Sequence, residues 1–137
     1  MNWRKFVQAT LVGGITMWII AGVWHEIVMV NFYTSEAHSK HEGLGIILLA
    51  YMLLGALMAY LYPLSTKGGH LLFESLRFGV VIGLLWVLPH GLAMAGAHGE
   101  SISYVFKNAA WHMIEQGAGG VAIGLSYSGL NIARRST

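Results

Sequence analysis

The chain has 137 residues, of which 55% are hydrophobic and only 10% are charged. Soluble domains usually carry about 25% charged residues, so this composition excludes an ordinary soluble domain. The absence of cysteine excludes disulfides, thiolate metal sites, iron–sulfur clusters and covalently attached c-type haem. The net charge of +2 gives no reason to expect a nucleic-acid partner, and no phosphate-binding loop is present.

Four long apolar segments follow one another along the chain, at about 6–32, 43–62, 71–95 and 103–130. Each reaches or exceeds the roughly 20 residues that cross the hydrocarbon layer of a bilayer. The connections between them are short, which favours one domain over residues 1–137. We therefore predict an all-α, polytopic membrane protein built as an up-down-up-down bundle of four transmembrane helices.

The basic residues are unevenly distributed over the predicted loops and ends. One side of the membrane would hold Arg4, Lys5, Lys67, Arg134 and Arg135, and the other would hold Lys40 and Lys107. The positive-inside rule then places both termini in the cytoplasm and the two histidine-containing loops outside. This distribution predicts a multi-pass protein of the bacterial cytoplasmic (inner) membrane.

Three histidines lie inside predicted helices at a similar depth. His25, His90 and His112 would sit roughly 10, 8 and 14 Å below the outer boundary at 1.5 Å per residue. Glu26 and Glu115 fall in the same slab. Charged groups inside a membrane cost about 2.5–3.5 kcal/mol on insertion scales, so they normally face the bundle interior and have a partner.

Helical spacing places these residues on stripes that we expect to face inward. On the first helix the stripe is Trp18, Gly22, His25 and Met29. On the third it is Gly79, Gly83, Trp86, His90 and Met94. On the fourth it is His112, Glu115, Gln116, Gly119 and Ile123.

This histidine pattern predicts a bound haem b. The first and third helices of such a bundle are diagonal and parallel, so His25 and His90 would face each other as axial ligands. His112 would take a distal or second-metal role. Glu26 and Glu115 would be metal ligands or would hydrogen-bond the ligating imidazoles.

Copper is the second candidate, because imidazole also suits copper and zinc. The in-membrane set would then be His25, His90 and His112 with Glu26 and Glu115. The outer loops offer a second, more exposed metal site formed by His38, His41, Glu42, His98 and Glu100. Single membrane histidines also hydrogen-bond across helices, which is the structural alternative for each of them.

The segments LRFGVVIGLL (76–85) and WHMIEQGAGGVAIGLSY (111–127), together with the helix layout, resemble small bacterial four-helix integral membrane proteins of unknown function. That resemblance implies no activity. In architecture alone the chain also resembles the four-helix b-type cytochromes. It lacks their histidine pairs on two helices, which favours one haem per chain.

The sequence therefore predicts a membrane redox protein that holds haem b, with copper as a further candidate. It would transfer electrons, or act as an oxidoreductase on a small oxidant or a quinone, with a redox partner. A proton- or cation-coupled transporter using the same histidines and carboxylates is the first alternative, and an assembly subunit of a larger membrane complex is the second. Two small residues four apart recur at Gly79/Gly83 and Gly120/Gly124. We expect the second pair to face outward and to form a homodimer.

Overall fold

The computed structural model describes residues 2–24 and 42–129, apart from the side chains of residues 42 and 43. Within these ranges every element is helical. The helices are α1 (Trp3–Val23), α2 (Glu42–Ser65), α3 (Leu71–His98) and α4 (Ile102–Ser128). The all-α prediction with four helices is confirmed.

The helix ends follow local capping chemistry. The Oδ1 atom of Asn2 accepts a hydrogen bond from the Lys5 backbone N–H at 3.1 Å, so α1 begins three residues earlier than predicted. Its predicted continuation to residue 32 lies outside the described residues. α3 and α4 both end at a glycine with positive φ, +73° at Gly99 and +68° at Gly129, a conformation that glycine adopts without steric cost.

α4 is the central helix of the bundle. It packs along α3 and α1, α1 packs along α2, and α2 meets α3 and α4 over shorter stretches. Among the described residues, α1 and α3 therefore occupy opposite corners. The Lys5 ammonium donates to the Tyr127 carbonyl at 2.7 Å, so the start of α1 and the end of α4 lie at the same end of the bundle.

α3 and α4 approach each other so closely that glycine is required at their contact. A Cβ atom at Gly79 would collide with the carbonyl of Gln116, and one at Gly83 with the carbonyl of His112. The buried positions of α3 are mostly small residues at steps of four. They are Ser75, Gly79, Gly83, Val87 and Ala95, joined by Phe78.

The prediction that Gly120 and Gly124 face outward is wrong. A Cβ atom at Gly120 would collide with the carbonyl of Ser75, and one at Gly124 would meet the hydroxyls of Ser75 and Tyr62. Both glycines are buried in the α3–α4 contact. They explain helix packing inside one chain and give no support for a homodimer, which stays a prediction.

Three of the described helices, α1, α2 and α3, are long and apolar enough to cross a membrane. α4 is the least apolar of the four and is not among those three. It is also the helix with the most buried residues. Its position is consistent with its composition, because polar side chains in a membrane protein are stable when protein surrounds them.

The bundle interior is filled by small and flexible apolar side chains. Ala9, Met17, Met58, Ala59 and Ile123 have no exposed surface. The outward surfaces carry the larger aliphatic side chains, such as Ile46 and Leu64. This inversion of the pattern of soluble proteins fits a lipid bilayer around the bundle, as predicted.

Candidate functional site

The most unusual interior residues are Glu115 and Gln116 on α4. Both are completely buried, with 0% exposure. Burying a carboxylate is costly unless it is paired and hydrogen-bonded. The question raised by this site is therefore which groups stabilise Glu115.

Two neighbours on α4 contact the carboxylate. The side-chain amide of Gln116 donates to Glu115 Oε1 at 3.1 Å. His112 lies one turn earlier, with its Nδ1 atom 3.4 Å from Glu115 Oε2. The predicted stripe of His112, Glu115 and Gln116 on α4 is confirmed, because all three side chains turn toward one another.

Gln116 also lies 3.5 Å from His112 Nδ1 through its Nε2 atom. Nδ1 accepts from Gln116 only when it carries no hydrogen, and it donates to Glu115 only when it carries one. The protonation state of this one nitrogen therefore decides which neighbour His112 bonds. The three side chains form a small network with two alternative hydrogen-bond patterns.

Tyr51 of α2 completes the site from the opposite corner of the bundle. It lies close enough to Glu115 to interact with the charge of its carboxylate. The described parts of α1 and α3 bury only apolar residues, glycines and Ser75. Among the described residues, the titratable groups that face Glu115 are therefore His112 and Tyr51.

Several polar atoms at the site are incompletely satisfied. Within the described residues, Glu115 Oε2, Gln116 Oε1 and Trp111 Nε1 are buried and make no hydrogen bond of good geometry. Each such atom costs about 1–3 kcal/mol. All three belong to residues 111–116 of α4, so this part of the helix is expected to contribute little to stability.

His90 does not join this site. Its side chain is exposed, and Trp86, one turn earlier, is 60% exposed. The predicted inward stripe on α3 is correct at Gly79 and Gly83 and wrong at Trp86 and His90. His112 packs opposite Gly83, which is seven residues or about 10 Å from His90 along the helix.

The stripe predicted for α1 is also displaced. Gly22 is exposed and a Cβ atom there would meet nothing within 4 Å. The buried residues of α1 are Ala9, Gly13, Gly14, Met17 and Ala21. The face that carries Trp18 and Gly22 is therefore about one residue, or roughly 100°, away from the face that packs.

Of the other histidines predicted as ligands, only His98 lies within the described residues. His25, Glu26, His38 and His41 lie outside the described residues. His98 is exposed in the last turn of α3. Within residues 2–24 and 42–129, no three histidine or acidic side chains are close enough to hold a metal ion. The haem and metal roles of the named residues stay predictions.

Two features of the region around Glu115 were not predicted from the sequence. Tyr51 looked like an ordinary residue of an apolar helix, although its spacing of seven from Met58 places both on one face. The indoles of Trp24 and Trp111 stack between α1 and α4 with ring centres 3.9 Å apart. Neighbouring aromatic positions on different helices give no signal in a single sequence.

Comparison with known proteins identifies no relative, since no family model, no curated protein and no solved structure matches the chain.

Proposed function

We propose that this is a proton-coupled membrane transport protein in which Glu115 and His112 take up and release a proton inside the bundle. The observation that supports this best is the complete burial of Glu115 beside His112. Ionisable residues inside membrane bundles commonly mark proton relays and ion pathways. The redox prediction has less support, because the described histidines do not face one another.

The proposed step is a proton transfer between His112 and Glu115. When the imidazole is protonated on both nitrogens, its Nδ1–H bond breaks and an O–H bond forms on Glu115 Oε2, which leaves a neutral imidazole and a neutral carboxylic acid. Gln116 stabilises both states, because its amide donates to the carboxylate before transfer and to the free Nδ1 atom after it. The hydroxyl of Tyr51 can donate or accept a hydrogen bond, so it is compatible with Glu115 as a carboxylate or as a carboxylic acid.

The proposal requires all four helices to cross the bilayer. α4 is then the fourth transmembrane helix, packed between α1 and α3. In the orientation proposed from the basic residues, both termini are cytoplasmic and His112 lies in the outer half of the bundle. The bacterial cytoplasmic membrane, which maintains a proton gradient, is the proposed location.

Infrared difference spectroscopy on the purified protein in lipid tests this proposal. A pH jump in wild-type protein should change the C=O stretch of a protonated carboxylic acid. Glu115→Gln should remove that band, and Glu100→Gln, which changes an exposed carboxylate, should leave it. Glu115→Gln should also abolish the change in luminal pH that proton transport by the wild-type protein produces in proteoliposomes. A band unaffected by Glu115→Gln would contradict the proposal.

A further inference from the structure

Arg77 lies on the outer face of α3, a helix that is long and apolar enough to cross a membrane. It is about 9 Å along the helix axis from Leu71, the first residue of α3, at 1.5 Å per residue. Its side chain is exposed. The residues four positions before and after it, Phe73 and Val81, are 65% and 46% exposed. Residues four apart share one face of a helix, so Arg77 is a cation within an apolar outer surface.

This surface points away from the rest of the bundle. α3 packs on α4 through Ser75 and Gly79, which lie two residues before and two residues after Arg77. A separation of two residues is about 200° around a helix. Leu84, seven residues after Arg77 and on the same face, is also partly exposed. In a bilayer, the molecules that adjoin Arg77 on this face are lipids.

The acidic residue next to Arg77 on α3 does not neutralise it. Glu74 lies three residues earlier, a spacing at which ion pairs form on helices. Its Oε1 atom instead accepts hydrogen bonds from the backbone N–H groups of Lys67 at 3.3 Å and Gly69 at 3.0 Å. A Cβ atom at Gly69 would lie 2.9 Å from this oxygen, so the loop closes directly over the carboxylate. Within the described parts of the chain, no carboxylate lies within ion-pair distance of Arg77.

The end of the bundle that carries Arg77 has a surplus of positive charge. α1 begins at this end, because Lys5 donates to the Tyr127 carbonyl and the Tyr127 ring stacks on Tyr62. The Tyr62 hydroxyl is in turn 2.6 Å from that of Ser75, two residues before Arg77. The lysine, arginine and acidic side chains described at this end are Arg4, Lys5, Lys67, Glu74 and Arg77. A single carboxylate therefore faces four cations here.

An anionic phospholipid matches both the charge and the apolar surroundings of Arg77. A guanidinium binds a phosphate group through two parallel N–H···O hydrogen bonds. Arginine side chains near the ends of membrane helices extend toward the headgroup layer. A zwitterionic lipid carries its own cation, which the surplus positive charge at this end repels. An anionic lipid carries no such cation, so the charge of this surface favours it.

We propose that Arg77 binds the phosphodiester group of an anionic phospholipid whose acyl chains pack along Phe73, Val81 and Leu84. The bound lipid holds α3 at a defined depth, because the guanidinium stays at the level of the lipid phosphates. The proposal requires α3 to cross the bilayer. It does not depend on proton transfer at Glu115.

Native mass spectrometry of the purified protein tests this proposal, because it resolves each bound lipid molecule. The protein in a neutral detergent is titrated with phosphatidylglycerol or with phosphatidylcholine of identical acyl chains. Wild-type protein should bind the first phosphatidylglycerol more tightly than the first phosphatidylcholine. Arg77→Gln should raise the dissociation constant for phosphatidylglycerol about fivefold, which is about 1 kcal/mol, and should leave that for phosphatidylcholine unchanged.

Arg4→Gln is the matched control. It removes the same charge from an exposed side chain at the same end of the bundle, so it lowers any general attraction of anionic lipid equally. We expect it to change the dissociation constant by less than about twofold. Arg77→Lys keeps the charge but loses the two parallel hydrogen bonds, and should weaken binding by an intermediate amount. It also replaces Arg77→Gln if circular dichroism shows that Arg77→Gln does not fold.

Three results would overturn the proposal. One is equal affinity of the wild-type protein for the two lipids. Another is an equal loss of affinity in Arg4→Gln and in the Arg77 variants, which would show attraction to the end of the bundle as a whole. The third is displacement of phosphatidylglycerol by inorganic phosphate at an ionic strength where chloride does not displace it, which would show that the site binds free phosphate and not a lipid.

Discussion

At the scale of single residues, the burial of Glu115 and its polar neighbours is expected to lower the stability of the fold. A buried carboxylate with one firm hydrogen bond, from Gln116, stabilises a fold less than an apolar side chain of the same volume would. Sites that are costly in this way are common where a protein binds or transfers charge. The cost should be measurable by substitution.

We expect Glu115→Gln to leave the free energy of unfolding unchanged or to raise it by about 1 kcal/mol, because it removes a buried charge and keeps the volume. Gln116→Glu should instead lower it by at least about 2 kcal/mol, because it places two carboxylates side by side in the core. Unfolding by a denaturing detergent, followed by circular dichroism, measures both. A large loss of stability in Glu115→Gln would show that the carboxylate has a structural role.

At the scale of helices, the contact between α3 and α4 explains which part of the site was predictable. The inward stripe on α4 was predicted correctly, because Glu115 and Gln116 are polar residues in a largely apolar segment and are buried against the other helices. The stripe predicted on α3 used mixed steps of three and four residues. Residues at such steps lie along a nearly straight line on one face of the helix. The actual contact uses successive steps of four.

Each step of four advances 400° around the helix, so a contact line built from such steps winds around α3. It passes through Gly79, Gly83 and Val87 and leaves His90 outside. Small residues permit this geometry because they let the two backbones approach. The helices and their order could thus be predicted from hydrophobicity, but the winding of a contact depends on the partner helix and could not.

Two alanine substitutions at glycines test this contact. Gly79→Ala should lower the free energy of unfolding by about 1–3 kcal/mol, because its Cβ would collide with the Gln116 carbonyl. Gly22→Ala, in a helix position with open space, should raise it by up to about 1 kcal/mol through helix propensity. The same detergent unfolding assay compares the two. Equal effects would mean that α3 and α4 are not in close contact.

At the scale of the whole molecule, the bundle predicts which positions share a side of the membrane. Asn2→Cys and Lys67→Cys should react with an impermeant thiol reagent from one side, and Glu100→Cys from the other. The hydrogen bond between Lys5 and Tyr127 places the end of α4 on the same side as Asn2. Since Glu100 precedes α4 on the other side, this result would also establish that α4 crosses the bilayer. Labelling of all three variants from the same side would contradict the four-helix topology.

The haem and copper predictions are tested on the same purified protein. Cells supplied with haem and copper should yield protein whose absorbance spectrum and metal content distinguish the two functions. A Soret band that is reduced in His25→Ala and His90→Ala would support haem and contradict proton transport as the main role. Under the proton-coupled proposal we expect no Soret band and no stoichiometric metal.

The stacked indoles of Trp24 and Trp111, with ring centres 3.9 Å apart and planes 11° from parallel, have an optical consequence. Two chromophores this close share their excited states, so the pair should give an exciton couplet in the circular dichroism spectrum that isolated indoles lack. Trp111 directly precedes His112 in the chain, so a change in imidazole charge should alter the fluorescence of the pair. The molecule thus carries a light-absorbing reporter beside the residue that would receive the proton, and Trp24→Phe should remove the couplet.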